Sequence, residues 1–405
     1  MQLKTFKYRL RPTLAQERQL VQVLDVCRHW YNMCIEDRKV AWEYEKRSVS
    51  KVDQEKTGIR YRAAFPKAQA VFSQTMQVVC DDVDKAYKAF FRRVKAGETP
   101  GYPRFKGKAH FDSFGFKQYG SGVKIDGRRL KLFGIGRVRV LWHRPLEGEI
   151  KTARIRRTAG KWYVCFSCEL PDPVALPLTG QQAGIDLNIE NLLTDNTGQR
   201  VEAPKHYRAA QRDLRLAQRA LQRTVKGSNN RRKALLRVQC LHEHIRNARQ
   251  DLLNKVAHTY TQANDLIALE DLQIVNMVRN RHLGKSILDQ GWGYLRNRFI
   301  AKAANAGRQI VLVDPAYTSK TCSCCGHIFQ DLTLSDRWLT CPTCGLSLAR
   351  DWMAGSNPKA ITKPNRRASA SAMWPANQYR MHSRPFAIHI GMERMRSRMV
   401  MAAAR

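Results

Sequence analysis

Acidic residues are scarce in this sequence: 34 Asp and Glu stand against 71 Lys and Arg, a formal net charge of +37 in 405 residues. Repulsion among so many like charges disfavours a compact chain unless a polyanion neutralises them, and nucleic acid is the usual polyanion. A solvated basic surface and a membrane-surface protein are the plainer interpretations. The cations are spread through every segment instead of one amphipathic helix, which speaks against membrane binding. The charge therefore favours an extended contact with nucleic acid.

Long apolar runs and a secretory leader are lacking too. No stretch of about 18 apolar residues is present, so we expect no membrane-spanning helix. The residues from Met1 to Pro12 lack the apolar core of a signal peptide, so we expect a cytoplasmic protein. Disulfides are unusual in a reducing cytosol, and we interpret six of the 11 cysteines as ordinary buried thiols: Cys27, Cys34, Cys80, Cys165, Cys168 and Cys240.

The first 170 residues combine strand and helix patterns. Alternating apolar and polar residues from Leu3 to Leu10 have the period of a half-buried strand, and helical patterns follow over about 14–45 and 67–95. From about 103 to 170, short β-rich runs alternate basic and aromatic residues between glycine turns. Such strands suit a small barrel with a basic face and rings for base stacking, although strand aromatics more often belong to a core.

The second half alternates strands with helices, without internal repeats. The patterns predict a linker at 171–177 and a short apolar strand at 183–187. A very basic antiparallel helix pair follows at 205–262, then a second apolar strand at 265–270 and a third strand that runs up to 314. This alternation implies a mixed α/β layer. The composition after Ser356 shifts to Pro, Ser, Arg, Asn and Met without periodicity, which is typical of a disordered or loosely attached tail.

Four of the remaining cysteines have the spacing of a zinc ribbon. Two Cys-x-x-Cys pairs are separated by fifteen residues, and a glycine follows each pair directly: Cys322, Cys325, Cys341 and Cys344. Two such knuckles place four thiolates tetrahedrally around one structural Zn²⁺. Two alternatives stay open, a register that uses the odd thiol Cys324 and replacement of one cysteine ligand by His327.

Three carboxylates stand where a charge is costly unless it has a partner. Asp186 lies within an apolar strand, Glu270 ends another, and Asp351 directly follows the cysteine ribbon. A hard divalent cation accepts oxygen ligands and offsets the desolvation penalty. Two Mg²⁺ ions held by three acids can activate water and stabilise the leaving oxygen of a phosphate. Taken singly, Asp186 could pair with an arginine and Glu270 could cap a helix.

The order of these motifs resembles the split RuvC-like nuclease of TnpB proteins, the insertion-sequence relatives of type V CRISPR effectors. It covers about residues 1–352. The motifs that carry it are Gly184-Ile-Asp-Leu187, Ala268-Leu-Glu-Asp-Leu272, the four-cysteine ribbon and Arg350-Asp351, together with Arg9-Leu-Arg-Pro12, Ala86-Tyr-Lys-Ala-Phe-Phe91, Gly101-Tyr-Pro-Arg-Phe-Lys106, Asp289-Gln-Gly-Trp292 and Tyr317-Thr-Ser-Lys-Thr-Cys322.

The resemblance implies a multidomain α+β fold in three parts. Residues 1–178 would form a wedge β-barrel with an inserted helical recognition lobe, its helices at about 12–98. Residues 179–355 would form an RNase H-like RuvC nuclease domain that includes the basic pair at 205–262 and a zinc ribbon at 316–348. Residues 356–405 would be a disordered or divergent tail.

The resemblance also implies an RNA-guided DNA endonuclease, monomeric with one RNA. A guide RNA from the transposon end would pair with double-stranded target DNA beside a short motif, in a prokaryotic cytoplasm and at the nucleoid. Asp186, Glu270 and Asp351 would be catalytic and hold two Mg²⁺ ions. Candidates for reading the target-adjacent motif are Gln74, Thr75 and Gln77, although such residues usually form the solvated face of a helix.

The sequence departs from the family after the third acid. The family continues with Asn-Ala-Ala and a closing helix, whereas here Met353 replaces the Asn and Gly355 and Pro358 interrupt the helix. Weak support for Asp351 leaves two other functions open. One is an RNA-guided DNA-binding protein, repressor-like, that no longer cuts. The other is an unguided basic zinc protein that binds nucleic acid nonspecifically.

Overall fold

The computed structural model describes residues 1–203, 205–316, 320–333 and 336–356. They form a multidomain α+β fold with two large β-sheets, each packed against its own helices. The predicted tail, except for Ser356, lies outside the described residues, as do 317–319 and 334–335 of the predicted ribbon. None of the helices described is both long and apolar enough to cross a lipid bilayer.

The N-terminal sheet is antiparallel and has seven strands in the order β2-β6-β7-β1-β5-β4-β3. They are β1 (Gln2–Arg11), β2 (Ser113–Phe116), β3 (Val123–Asp126), β4 (Arg129–Leu132), β5 (Gly136–Leu141), β6 (Glu149–Thr158) and β7 (Lys161–Leu170). The predicted first strand and β-rich runs are confirmed. The predicted barrel is confirmed in part: β2 and β3 are edges, so the sheet is a half-barrel. The helix at 73–95 packs against β2 and covers that edge, which makes closure unnecessary.

Four helices are inserted between β1 and β2: α1 (Leu14–Glu45), α2 (Lys51–Ala64), α3 (Pro66–Gln69) and α4 (Ser73–Lys95). The helix predicted at 14–45 is confirmed, and Thr13 begins it with a capping box. The pattern at 67–95 is two helices instead of one, and α2 was not predicted. Ser50 and Asp53 cap α2 reciprocally, but only Gln54 and Gly58 are buried in it, so it carries no apolar stripe to detect.

The second sheet has five strands in the order β10-β9-β8-β11-β12. Strands β8, β11 and β12 are parallel to one another, whereas β9 pairs antiparallel with both β8 and β10. Its strands are β8 (Gln182–Asp186), β9 (Asn191–Asp195), β10 (Arg200–Glu202), β11 (Leu266–Glu270) and β12 (Gln309–Val313). Its helices are α5 (His206–Gln222), α6 (Asn229–Ala263), α7 (Ile274–Met277), α8 (Gly284–Gln290) and α9 (Trp292–Ala306). The core between α6, α9 and the sheet holds Leu253, Leu269 and Leu295. The predicted basic helix pair is therefore confirmed as α5 and α6.

Two ion pairs, each with one buried member, tie the linker and the N-terminal sheet to this second layer. Asp265 accepts hydrogen bonds from the backbone N–H groups of Thr179 at 2.9 Å and Gly180 at 2.7 Å, and it pairs with buried Arg308. Glu243 of α6, 4% exposed, pairs with Lys161 of β7 at 2.9 Å. Burying a carboxylate is costly unless it is paired, so these contacts fix the linker and α6 against their neighbours.

The chain then forms a small hairpin, β13 (Trp338–Thr340) and β14 (Ser347–Ala349), followed by α10 (Arg350–Gly355). The two strands pair antiparallel, and α10 packs against β8, β9 and β14. This hairpin brings the end of the described chain back to the second sheet.

Candidate active site and metal centre

Two of the predicted acids end neighbouring parallel strands. The register pairs Ala268 with Gly184 and Leu269 with Ile185, so the next step puts Glu270 beside Asp186. The carboxyl ends of parallel strands share one edge of a sheet, and residues side by side point to the same face. The apolar residues that precede each acid are buried, and each strand ends at its acid.

The third predicted acid reaches the same place from α10. Asp351 lies in the first turn of that helix. Burial raises the pKa of Asp186, which is 7% exposed, well above its usual range, and the charges of Glu270 and Asp351 raise it further. Asn188 and Arg350 oppose the rise only in part. The structure thus brings together all three predicted carboxylates.

The donor set of this site fits a hard divalent cation. The negative charges of Glu270 and Asp351 repel that of the buried Asp186 carboxylate. A hard divalent cation takes oxygen ligands and removes this repulsion. Asp186 and Glu270 line a cleft of about 10 Å³ with Ile185, Ala268, Leu269, Val313, Ala354 and Gly355. Within the described ranges, only the four ribbon cysteines form a group of three or more possible ligands whose atoms all lie within 4.8 Å of one another, so the three carboxylates are not drawn together as tightly as those thiols.

Close backbone packing holds α10 on the sheet. A Cβ added at Gly184 would lie 2.1 Å from the carbonyl oxygen of Gly355, a separation that only glycine permits. The indole Nε1 of Trp352 and the hydroxyl of Ser356 each donate to the carbonyl of Asn196 at 3.1 Å. The helix ends at Gly355, as the sequence indicates, and a Cβ at Gly355 would itself lie 3.1 Å from the backbone of Asp195, so both glycines permit the close packing. Asp351 therefore has support that the sequence pattern did not reveal.

Met353 provides a second support, on the other face of α10. Its side chain is 1% exposed and packs with Cys322, Leu339 and Cys341. The residue that breaks the family pattern thus joins the helix of Asp351 to the cysteine ribbon.

Asn188 contacts Asp186 and was missed by the sequence analysis. Its Nδ2 lies 3.5 Å from Oδ2 of Asp186 and 3.2 Å from Oγ1 of Thr194. The backbone N–H of Asn191 donates to Oδ1 of Asn188 at 2.7 Å and so fixes which end of the amide faces the acid. An asparagine two residues after a strand-end aspartate was the available signal. Donors of this kind orient a ligand side chain.

The four ribbon cysteines form one compact group whose sulfur atoms lie within 4.8 Å of one another. The Sγ atoms of Cys322 and Cys344 lie 3.6 Å apart, and those of Cys325 and Cys341 lie 3.5 Å apart. Tetrahedral Zn²⁺ with bonds of about 2.3 Å requires sulfur atoms about 3.8 Å apart, so the set fits a metal ion of this kind.

The local backbone explains this arrangement. Gly326 and Gly345 have φ of 78° and 72°, and their N–H groups donate to the carbonyls of Cys322 and Cys341. Cys324 is exposed and lies outside the cluster. His327 is outside it too, with Nδ1 3.1 Å from Oγ1 of Thr343.

The three motif-reading candidates lie at the start of α4. Thr75 is 1% exposed, so it cannot contact a base without rearrangement of the helix. Gln74 and Gln77 are half-buried, and Nε2 of Gln74 donates to Oε1 of Gln118 at 3.1 Å. Of the three, Gln74 and Gln77 keep access to solvent.

The helix pair α5–α6 presents a row of exposed cations: Arg212, Arg215, Arg219, Arg223, Arg232, Lys233 and Arg237. Within the described ranges, none of them forms an ion pair. Unpaired cations along two helices suit an extended polyanion such as a nucleic-acid backbone better than a compact ligand.

Comparison with known proteins places these features in a family. The IS605 OrfB family, described as a probable transposase, matches residues 165–281, and a domain described as the Cas12f1-like TNB domain matches residues 292–357. A helix-turn-helix domain matches residues 1–47, although the structure has one strand and one long helix there.

Full-length relatives are similar over most of the chain. One from Streptomyces pristinaespiralis, provisionally named an RNA-guided DNA endonuclease, is 32% identical over 361 residues, covering 87% of this chain and 88% of the relative. Another from Escherichia coli K12, provisionally named RNA-guided DNA endonuclease InsQ, is 29% identical over 358 residues, covering 84% and 87%. A cryo-EM structure of CasPhi-2 (Cas12j) bound to crRNA aligns with 89% of this chain and 97% of that chain, at 10% identity and a TM-score of 0.47. With its motifs and these full-length relatives, the chain belongs to the TnpB family of insertion-sequence proteins.

Proposed function

We propose that this protein is an RNA-guided DNA endonuclease encoded by a transposable element. It carries a guide RNA derived from the transposon end, recognises a target-adjacent motif in double-stranded DNA, and hydrolyses a phosphodiester. The observation that carries the proposal is the meeting of Asp186, Glu270 and Asp351 at one sheet edge. A chain with a net charge of +37 nevertheless brings two further acids to the buried Asp186, and Arg350 offsets their effect on the pKa of Asp186 only in part.

In the proposed site, Asp186, Glu270 and Asp351 hold two Mg²⁺ ions. When bound, these ions supply activation of water on one side of the phosphate and stabilisation of the leaving oxygen on the other. Asn188 orients the carboxylate of Asp186, and the docking of α10 sets the approach of Asp351. Positioning within about 1 Å matters, because such a shift can cost about a hundredfold in rate.

The parts surrounding this site take the roles expected for an RNA-guided enzyme. Residues 1–178 would act as wedge and recognition lobe, and residues 179–355 as an RuvC-like nuclease domain. The sheet order of the second layer supports an RNase H-like fold, since β8 and β11 lie side by side and carry the acids. The unpaired cations of α5–α6 would hold the guide–target heteroduplex by its phosphates, and base pairing would supply the sequence specificity.

The cysteine cluster would bind one structural Zn²⁺ through Cys322, Cys325, Cys341 and Cys344. All four ligands come from the protein, so the ion would organise the ribbon and perform no chemistry. Through Met353 it would also hold α10 in place. The whole protein would work as a monomer with one RNA, on DNA in a prokaryotic cytoplasm.

The sharpest test replaces the buried acid and separates binding from cutting. Asp186→Ala, purified with the guide RNA, should bind a matching target with nearly unchanged affinity and lose cleavage. Binding is followed by filter retention and cleavage by gel on the same complex. Equal loss of binding and cleavage would show that Asp186 is a structural residue and would remove the assignment.

A second function is favoured by one observation, the shortness of α10. It ends at Gly355 after six residues, where the family continues with a closing helix. If that helix is needed for cutting, the protein is a guided DNA-binding protein, and the wild type will retain its target without cleaving it. An unguided zinc protein would instead purify without a discrete RNA and bind DNA without sequence preference.

A further inference from the structure

Exposed aromatic rings lie in the last turns of α4 and in the segment that follows it, 99–107, and the rings of Phe90 and Tyr102 bring the two into contact. The Phe90 ring lies 5.2 Å from the Phe91 ring and 5.3 Å from the Tyr102 ring, centre to centre. Phe91 is 60% exposed, Tyr102 44% and Phe105 56%. We call Phe91, Tyr102, Arg104 and Phe105 the ring surface. Large rings on a protein surface cost free energy unless something covers them.

Segment 99–107 is fixed, although it has no regular secondary structure. The backbone N–H of Lys106 donates to Oδ1 of Asn32 at 2.8 Å, and Nδ2 of Asn32 donates to the carbonyl of Lys106 at 3.1 Å. The hydroxyls of Tyr102 and Tyr87 are 3.0 Å apart, and Arg93 donates to the carbonyl of Gly101 at 3.4 Å. Phe105 lies between these anchors, so its exposure does not come from a loose loop. Rings held in this way are already arranged for a partner, which lowers the cost of binding.

The charge around the rings indicates what the partner is. Arg92, Lys95 and Arg104 are exposed, and among the described residues none of them forms an ion pair. Residues 90–107 contain a single acid, Glu98. Rings beside unpaired cations match the two parts of a nucleotide, because the base stacks on the ring and the cation meets the phosphate. An apolar protein partner would leave these cations uncompensated.

Base stacking requires nucleotides that are not already paired and stacked. A DNA duplex offers its edges and backbone but keeps its base faces covered, whereas unpaired RNA loops present them. The rings also need cover for most of the lifetime of the protein. In the proposed function the guide RNA is bound before any target DNA is met, so the RNA covers the rings for longer and is the better occupant.

We propose that the ring surface stacks unpaired bases of the RNA that the protein carries. The inference rests on the proposed function for the presence of that RNA, and it adds where unpaired nucleotides are held. A ring that stacks a base contributes roughly five- to a hundredfold in affinity. Removing Phe91 or Phe105 should therefore weaken RNA binding by about tenfold each.

The test compares three replacements of each ring with one matched control. Phe91→Ala and Phe105→Ala remove the ring, Phe→Leu keeps the apolar volume without a π-face, and Phe→Trp restores stacking. The control is Trp42→Ala, since Trp42 is also 60% exposed but is followed by Glu43 and Glu45 in the last turn of α1. Each protein is purified with its native RNA, the RNA affinity is measured by competition, and base reactivity is probed chemically.

Support would be a loss of about tenfold for Ala and Leu, recovery with Trp, an unchanged control, and a few unpaired bases becoming reactive. Full RNA affinity of the Leu variants would show that apolar volume is enough and that no base stacks on these rings, and would overturn the proposal. If all variants bound a discrete RNA with equal affinity, the ring surface would not be an RNA-binding site, and the proposed guided function would be unaffected. A wild type without RNA would contradict both.

Discussion

Gly184 and Gly355 approach so closely that a single methyl group tests whether α10 positions the third acid. A Cβ at position 184 would lie 2.1 Å from the carbonyl oxygen of Gly355, and real Cβ contacts essentially never fall below 3.0 Å. The obstacle is backbone, so no side-chain rotation relieves it. In Gly184→Ala, α10 must therefore move by about 0.9 Å or tilt away from β8.

The displaced helix carries Asp351 one turn before Gly355. A shift of about 1 Å at a reacting group can cost about a hundredfold in rate, which corresponds to about 2.7 kcal/mol of transition-state stabilisation. Overpacking a tight contact also costs about 1–3 kcal/mol of unfolding free energy. Guide RNA and target contacts lie elsewhere in the proposed complex, so their affinity should stay within about twofold of wild type, or about 0.4 kcal/mol.

The assay is single-turnover cleavage of a matched target by the purified RNA complex, with target binding measured in parallel. Gly293→Ala is the control, because a Cβ there would meet only the end of the Ile274 side chain, at an ordinary 3.4 Å, and the position lies within helix α9. A control at wild-type rate beside a hundredfold slower Gly184→Ala supports the account. Wild-type cleavage by Gly184→Ala, or a parallel loss of binding, would refute the idea that this contact sets the position of Asp351.

Three further results are expected. Cys341→Ser should lose the roughly one zinc per chain found by metal analysis, whereas Cys324→Ser, at the exposed odd thiol, should keep it. Asn188→Ala should raise the Mg²⁺ concentration needed for half-maximal cleavage by about tenfold or more, because Asp186 loses an orienting donor. Backbone N–H donors hold the pKa of Asp265 below its usual range. The ionised carboxylate therefore stabilises the fold above about pH 4, and this stabilisation is lost as the pH falls through the lowered pKa. The melting temperatures of wild type and Asp265→Asn should accordingly converge in acid.

The sequence was most informative where the signal is local. An apolar run that ends in an acid identified Asp186 and Glu270 as the ends of buried strands, because burial and charge are both visible within five residues. The ribbon was predictable from spacing, since Cys-x-x-Cys followed by glycine already defines a knuckle. Strand β1 and helix α1 were confirmed because their periodicity is long and α1 begins with a capping box.

The rest depends on contacts between distant parts of the chain. Nothing near Met353 indicates that it packs on Cys322, and nothing near Gly355 indicates that Gly184 touches it. Thr75 was placed on a solvated face, but neighbouring elements cover that face of α4. The half-barrel follows from the packing of α4 against β2, a relationship that no strand pattern encodes.

The most direct test of the central claim is cleavage of a plasmid library by the protein co-expressed with its native flanking RNA, in Mg²⁺. The account predicts cuts beside one short motif in the wild type and none with Asp186→Ala. Retention of the same target by the wild type without any cut would contradict it, and would show that three acids meet at this sheet edge without performing hydrolysis.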